Sequence, residues 1–254
     1  MQIGMLDDYF RSFLDVDRFS ASDPSLNGIQ VARRNEEVQK VAFAVDACQD
    51  TFHRASLWGA DMLFVHHGIY WGRVEPVTGS MYARLHALME HDLALYAMHL
   101  PLDEHMVYGN NAQMAFALGL DSLEPFGYYK GNPVGCRATF KEPISLNEVV
   151  RVLFGGAENT LGVLPFGTQS IGSIGFVSGG WASAIDEAIE LGLDLFITGD
   201  AAHTIYYRAL ESSTNVVFGG HYLTEIWGVK ALAEKLMHDH PDIETTFIDV
   251  PTGF

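Results

Sequence analysis

Three apolar runs in this chain end in histidine. DMLFVHHG closes on the adjacent pair His66–His67, LYAMHLPLD places His99 four residues ahead of Asp103, and VFGGHYLTE places His221 four ahead of Glu225. Imidazole nitrogens and carboxylate oxygens delivered at the ends of buried strands form the donor set of a first-row metal site. His66, His67, His99, Asp103, His221 and Glu225 are together enough for two divalent ions. Mixed His/carboxylate ligation suits Zn, Mn, Fe, Co or Ni alike, so the metal stays open.

The spacing constrains how each group can act. Successive strand residues face opposite sides, so His66 and His67 serve together only if the chain turns, which Gly68 permits. Pro101 lies between His99 and Asp103 and argues for a shaped loop rather than one helix face. Asp103 is the ligand candidate there, with capping of the following turn as the plain alternative. His99 either orients a carboxylate or water or acts as a general acid/base. Thr224 reads as an N-cap, which sets Glu225 at the first helical position, where the helix dipole favours a carboxylate. Asp200 and His203 in GDAAH and Asn27 in SLNGIQV are candidate pocket residues, and Asn27 with Gln30 could hold a loop near the site. His53, His86, His91, His238 and His240 fall in or beside helix-period segments and read as surface groups. The chain has no P-loop, GxSxG elbow, HExxH or CxxC pattern.

The elements that must carry these residues follow an α/β alternation. After an amphipathic helix (5–14) and a turn-rich loop, strands at 38–45, 62–65 and 93–98 alternate with helices at 49–58, 80–91 and 111–118. The order βαβαβα predicts a parallel sheet. Residues 127–172 are richer in Gly and Pro and read as a linking or inserted section. Alternation then resumes, with strands at 174–177, 195–198, 216–218 and 245–250 and helices between them. Residues 42–67 align without gaps on 175–200, with Phe43 on Phe176, Ala55 on Ala188, Gly59 on Gly192 and Asp61 on Asp194. At a slightly shorter offset His99 falls on His221 and Asp103 on Glu225. The expectation is an internal duplication: two related α/β lobes, 1–126 and 173–254, joined by 127–172, with the metal site in the cleft between them.

Composition narrows the class. Of the 254 residues 48% are apolar and 19% charged, which suits a folded α/β protein. A formal charge of −17 with no basic run disfavours nucleic acid as a partner. No apolar run reaches the ~18–20 residues of a membrane span. Two cysteines, Cys48 and Cys136, cannot make a secreted disulfide framework and read as reduced, buried residues of a cytoplasmic protein.

Four motifs in order, FVHHGIYW, YAMHLPLDEHMVYGNNAQ, ITGD and GGHYLTEIWGVKAL, resemble the signatures of the Nif-three-like family, above all its YbgI type, described as GTP cyclohydrolase I type 2 homologues. The resemblance runs from SLNGIQV to FIDVP. It implies a two-lobed α/β fold, a dinuclear metal centre and a toroidal homohexamer, a ring of dimers or trimers. By motif the ligands would be His66, His67, Asp103, His221 and Glu225, with His99 beside them as catalytic group. The family's usual Gly-Glu after the late strand is Gly199–Asp200 here, one methylene shorter. The implied activity is a dinuclear metal-dependent hydrolase, with metal-bound hydroxide as nucleophile and His99 moving the proton. The substrate would be a small molecule of nucleotide type, with GTP opened at its imidazole ring and formate lost. A non-catalytic metal-binding, regulatory or scaffold protein is the alternative, and an open coordination position separates the two.

Overall fold

The computed structural model describes residues 1–254. In chain order the first half forms α1 (Ile3–Arg11), α2 (Val16–Phe19), β1 (Gly28–Val31), β2 (Lys40–Asp46), α3 (Gln49–Trp58), β3 (Met62–His67), α4 (Gly79–Glu90), β4 (Ala94–Ala97), α5 (Leu100–Glu104) and α6 (Asn110–Ala117). The second half forms β5 (Glu124–Tyr129), β6 (Asn132–Ser145), α7 (Leu146–Phe154), β7 (Gly162–Leu164), β8 (Ser170–Val177), α8 (Ile185–Glu190), β9 (Leu195–Thr198), α9 (Tyr206–Ser212), β10 (Asn215–Phe218), α10 (His221–Asp239) and β11 (Glu244–Phe247). The chain divides into two compact units, Met1–Leu102 with Val229–Val250, and Asp103–Gly228 with Pro251–Phe254. No helix is long and apolar enough to cross a membrane.

The first unit is built on a sheet of order β1-β4-β3-β2-β11. Its central strands β2, β3 and β4 are parallel and buried on both faces, which is why they read as unbroken apolar runs. One face packs Ala42, Ala44, Leu63, Val65 and Leu95 against Phe52 and Ala55 of α3 and Leu85 and Leu88 of α4. On the alternate positions Phe43, Phe64 and Tyr96 form an aromatic row, with Phe64 and Tyr96 stacked at 5.3 Å and Phe10 of α1 at 4.9 Å from Phe64. The Tyr96 hydroxyl, sealed in this layer, donates to Asp7 at 2.9 Å, and burial drives its pKa up. β1, which lies within the stretch expected to be loop, pairs antiparallel with β4.

The second unit carries a sheet of order β5-β6-β8-β9-β10-β7, with β8, β9 and β10 parallel. Residues 127–172 are an integral part of it. Their glycines mark the two-residue turn Lys130–Gly131 between β5 and β6, and the amphipathic α7 lays Val149, Val150 and Leu153 into the core. Buried Cys136 lies in that core, with its thiol pushed up to about 12 by desolvation, and both cysteines are free.

The boundaries differ from those drawn from alternation alone. β11 runs parallel to β2 and closes the edge of the first sheet, so 229–250 belong with the N-terminal residues. Such a long-range pairing leaves no local signal. The two sheets share one detail: the successive parallel strands β2, β3, β4 and β8, β9, β10 each end on a strand that accepts an antiparallel edge strand, although β11 adds a fourth parallel strand to the first sheet alone.

Candidate metal centre

In the first unit β3 delivers His66, fully buried, and His67, half-buried, at its C-terminal end. Their rings lie 4.6 Å apart despite the strand alternation, and His99, just beyond β4, joins them at 5.1 Å from His66 and 5.6 Å from His67. One nitrogen from each of the three falls within 4.8 Å of the others. The turn after His67 needs glycine, because a Cβ on Gly68 would collide with the Gln30 amide, whose oxygen accepts from Ile69 N at 2.7 Å.

Each of these imidazoles is held by its Nδ1. His66 donates to the Met98 carbonyl at 2.9 Å, His67 to Asp46 at 2.8 Å and His99 to Asp23 at 2.8 Å. A proton fixed on Nδ1 makes Nε2 the basic, ligating atom, the arrangement that metal-binding histidines use. Asp23 is nearly inaccessible. Burial acts to raise its pKa, but hydrogen bonds from His99, Asn27 and Ser25 outweigh that and hold the carboxyl below its usual range. Asp23 also accepts from Leu100 N at 3.1 Å, while Asn27 accepts from His99 N at 2.8 Å. Asn27 therefore shapes the His99 segment. The indole of Trp71 stands edge-on to His99 at 5.1 Å.

In the second unit His221 and Glu225 sit one turn apart on α10, with Nε2 and Oε1 3.2 Å apart. The helix starts at His221, not at Glu225. Thr224 is thus no N-cap; it is buried within the helix, its hydroxyl donating to Gly220 O and His221 O and accepting from Gly179 N. Glycines at 219 and 220, the latter at φ 93°, turn the chain from β10 straight into the helix. Asp200, after β9, accepts from His221 Nδ1 at 2.8 Å, so it orients that ring as Asp46 and Asp23 orient theirs. Burial alone would depress His221, but Glu225 and Asp200 overcome it and raise the imidazole to about 9.

Asp103 is buried on the short helix α5, where Pro101 is tolerated because a first-turn N–H has no intrahelical acceptor. The loop expected here is therefore helical. Asn110 and Ser178 donate to Asp103 Oδ1, both at 2.9 Å. Gly179 presses on the other pair: a Cβ there would collide with Glu225 Oε1 and lie 3.2 Å from His221 Nε2. His203 is exposed on a 3-10 turn and joins no group of closely spaced ligating side chains.

Sequence reasoning passed over Asp23, Asp46, Asn110, Asn111, Ser178 and Gly179. A signal existed for Asp46 and Ser178, since both stand at the C-terminal ends of parallel strands. Buried Asn110 and Asn111 open α6, where Asn111 bridges Val134 O and Ser178 N.

The profile for Duf34/NIF3 (NGG1p interacting factor 3) matches residues 1–253. A GTP cyclohydrolase 1 type 2 homologue from Treponema pallidum (strain Nichols) is 45% identical over 98% of both chains. The crystal structure of TTHA1606 from Thermus thermophilus superposes with a TM-score of 0.90 at 35% identity, covering 100% of each chain. The structure of ybgI, a protein described as of unknown function, gives 0.89 at 32% identity over the same coverage.

Proposed function

Since the chain belongs to the Duf34/NIF3 family, we propose that it is a hydrolase dependent on two divalent metal ions, with His66, His67, Asp103, His221 and Glu225 as ligands and His99 as the proton-transfer group. The observation that carries this reading is the common anchoring of the imidazoles. Four histidines have Nδ1 fixed by a carboxylate or a carbonyl at 2.8–2.9 Å, which leaves Nε2 as the atom that can ligate or accept a proton. The donor set, neutral imidazole with carboxylate, fits Zn, Mn, Fe, Co or Ni. The bare Cα of Gly179 fits it too, because any side chain there would fill the space beside Glu225 and His221.

When bound, a pair of such ions supplies Lewis acidity and makes water a nucleophile at neutral pH. The residues of the chain do the rest. Asp46, Asp23 and Asp200 keep the rings from rotating, and Asn110 and Ser178 fix Asp103. His99, with its Nδ1 proton committed to Asp23, takes a proton at Nε2 from the attacking water and returns it to the leaving group. The relatives' printed name points to GTP as substrate, and the reaction proposed for this chain is hydrolysis at the imidazole ring of the base with loss of formate.

The test is metal content per chain paired with formate release from GTP. Two metals with formate support the whole reading. Two metals without turnover leave the ligands in place and favour a metal-binding or scaffold role. The assembly is proposed to be a homohexamer in the cytoplasm; light scattering that returns a stable monomer contradicts the hexamer.

A further inference from the structure

We propose that Trp181, braced by Tyr129, is the wall of a subsite that takes a planar nitrogen heterocycle of the substrate next to His221 and Glu225. The inference rests on the hydrolase reading for the role of those two neighbours, and it adds the residues that would hold the ring of the substrate.

β8 is followed by Ser178-Gly179-Gly180-Trp181. The bare Cα of Gly179 lies over Glu225 Oε1 and His221 Nε2. A Cβ on Gly180 would come 2.8 Å from Asp200 Oδ2 and 3.7 Å from His221 Cε1. Two consecutive residues without side chains thus bring the main chain right up to the ligand groups. The largest side chain in the repertoire follows immediately, its Cα only about 3.8 Å from that of Gly180.

This loop is held from several sides. Ser178 N donates to Asn111 Oδ1 at 2.7 Å and Ser178 Oγ to Asp103 Oδ1 at 2.9 Å. Gly179 N donates to Thr224 Oγ1 at 3.1 Å, and Gly179 O accepts from Gly199 N and Asp200 N at 3.0 and 2.9 Å. Every one of these anchors belongs to a segment that bears or orients a proposed ligand.

The brace is equally fixed. Tyr129 meets Trp181 edge to face, with centroids 4.9 Å apart at 78°. It stands at the tip of the β5–β6 hairpin, whose turn residues Lys130 and Gly131 are both left-handed, at φ 47° and 87°, as a two-residue hairpin loop requires. The hairpin is seated tightly: Gly127 abuts Val177 so closely that a Cβ would lie 2.5 Å from its Cγ2, and Gly127 N donates to Glu187 at 3.0 Å. A wall rigid before binding costs little ordering when a ligand arrives.

Trp181 is only half-buried. The indole N–H groups of Trp71 and Trp227 donate to carbonyls of their own segments, Gly68 O and Leu223 O, whereas that of Trp181 makes no hydrogen bond within the chain. Trp181 presents a π-face and a donor together. A flat ring with acceptor nitrogens or oxygens matches both over its whole face; a lone phosphate can accept from the N–H but offers nothing to the π-face.

Calorimetry on the metal-loaded protein with guanosine and with ribose 5-phosphate tests this, with metal content measured on the same samples. The parent is expected to bind guanosine and not ribose 5-phosphate. Trp181→Ala should weaken guanosine at least about tenfold with metal content unchanged, as loss of one stacking partner requires. Trp181→Phe, which keeps a ring, should stay within about threefold of the parent, allowing for its lost N–H. Equal affinity in Trp181→Ala and parent overturns the proposal, as does a parent that binds no guanosine. A parent devoid of metal that still loses guanosine on Trp181→Ala would sink the dinuclear reading and leave the subsite standing.

Discussion

His221 and Asp200 are joined through Nδ1 and Oδ1 at 2.8 Å, while the opposite nitrogen of the same ring faces Glu225 Oε1 at 3.2 Å. One carboxylate orients the ring and the other shares its ligating side. In the metal-free chain this sandwich raises the imidazole to about 9. A proton then occupies the position that a metal needs.

That competition has a sign. Between the ordinary imidazole pKa and about 9, metal loading must displace the His221 proton. Affinity should rise with pH by up to about tenfold per unit for that one proton and level off above 9. Calorimetric titrations in buffers of different ionisation enthalpy would count the released proton. Asp200→Asn should shift the plateau to lower pH and reduce the maximal affinity by about 10–100-fold. The same raised pKa stabilises the metal-free fold fully below the unfolded value, and that contribution is lost as pH climbs through 9.

Asp23 should matter for His99 and for stability together. Its carboxylate accepts from His99, Leu100, Asn27 and Ser25. Asp23→Ala strands several buried donors and should cost about 2–4 kcal/mol in urea unfolding. Its depressed pKa contributes stability above the ordinary carboxylate range, lost as pH falls through the lower folded value. The acid limb of the parent's stability curve should therefore be steeper than that of Asp23→Asn. In the variant any turnover should fall while metal content stays near the parent's.

Gly179→Ala should damage metal binding more than folding. Its Cβ would run into Glu225 Oε1, and its φ of +63° already disfavours a side chain. Metal affinity is expected to drop at least about tenfold, a first-order effect for a displaced ligand. Gly4→Ala is the contrast: nothing stands within 4 Å of a Cβ in α1, so it should stabilise the fold by about 0.5–1 kcal/mol and leave the metal alone.

Asp61 and Asp194 test the duplication. Asp61 Oδ2 accepts from Gln39 N and Lys40 N at 2.8 and 3.0 Å; Asp194 Oδ2 accepts from Gly172 N and Ser173 N at 2.8 and 2.9 Å. These residues correspond at the single offset that aligns 42–67 with 175–200. Asp61→Ala and Asp194→Ala should each destabilise by about 1–3 kcal/mol without changing metal content. A large loss from one and none from the other would argue against equivalent roles.

Much of this was legible in the sequence for stated physical reasons. Parallel strands buried on both faces show as apolar runs, so β2, β3, β4, β8, β9 and β10 and the histidines and carboxylates that follow them could be read directly. Of the groups that orient them, only Asp200 and Asn27 stood among the candidates, and their partners could not be read. Asp23 in SDPS has the composition of a turn, and only the fold brings it to His99. The helical start at His221 was hidden by the glycines before it, which look like loop. The pairing of β11 with β2 spans about two hundred residues and leaves no periodic trace.

The central claim is that these residues bind metal, and elemental analysis of reconstituted parent, His66→Ala and Glu225→Ala tests it most directly. About two metals per chain in the parent, and clearly less in both folded variants, is the predicted result. Variants that bind as much metal as the parent would contradict it.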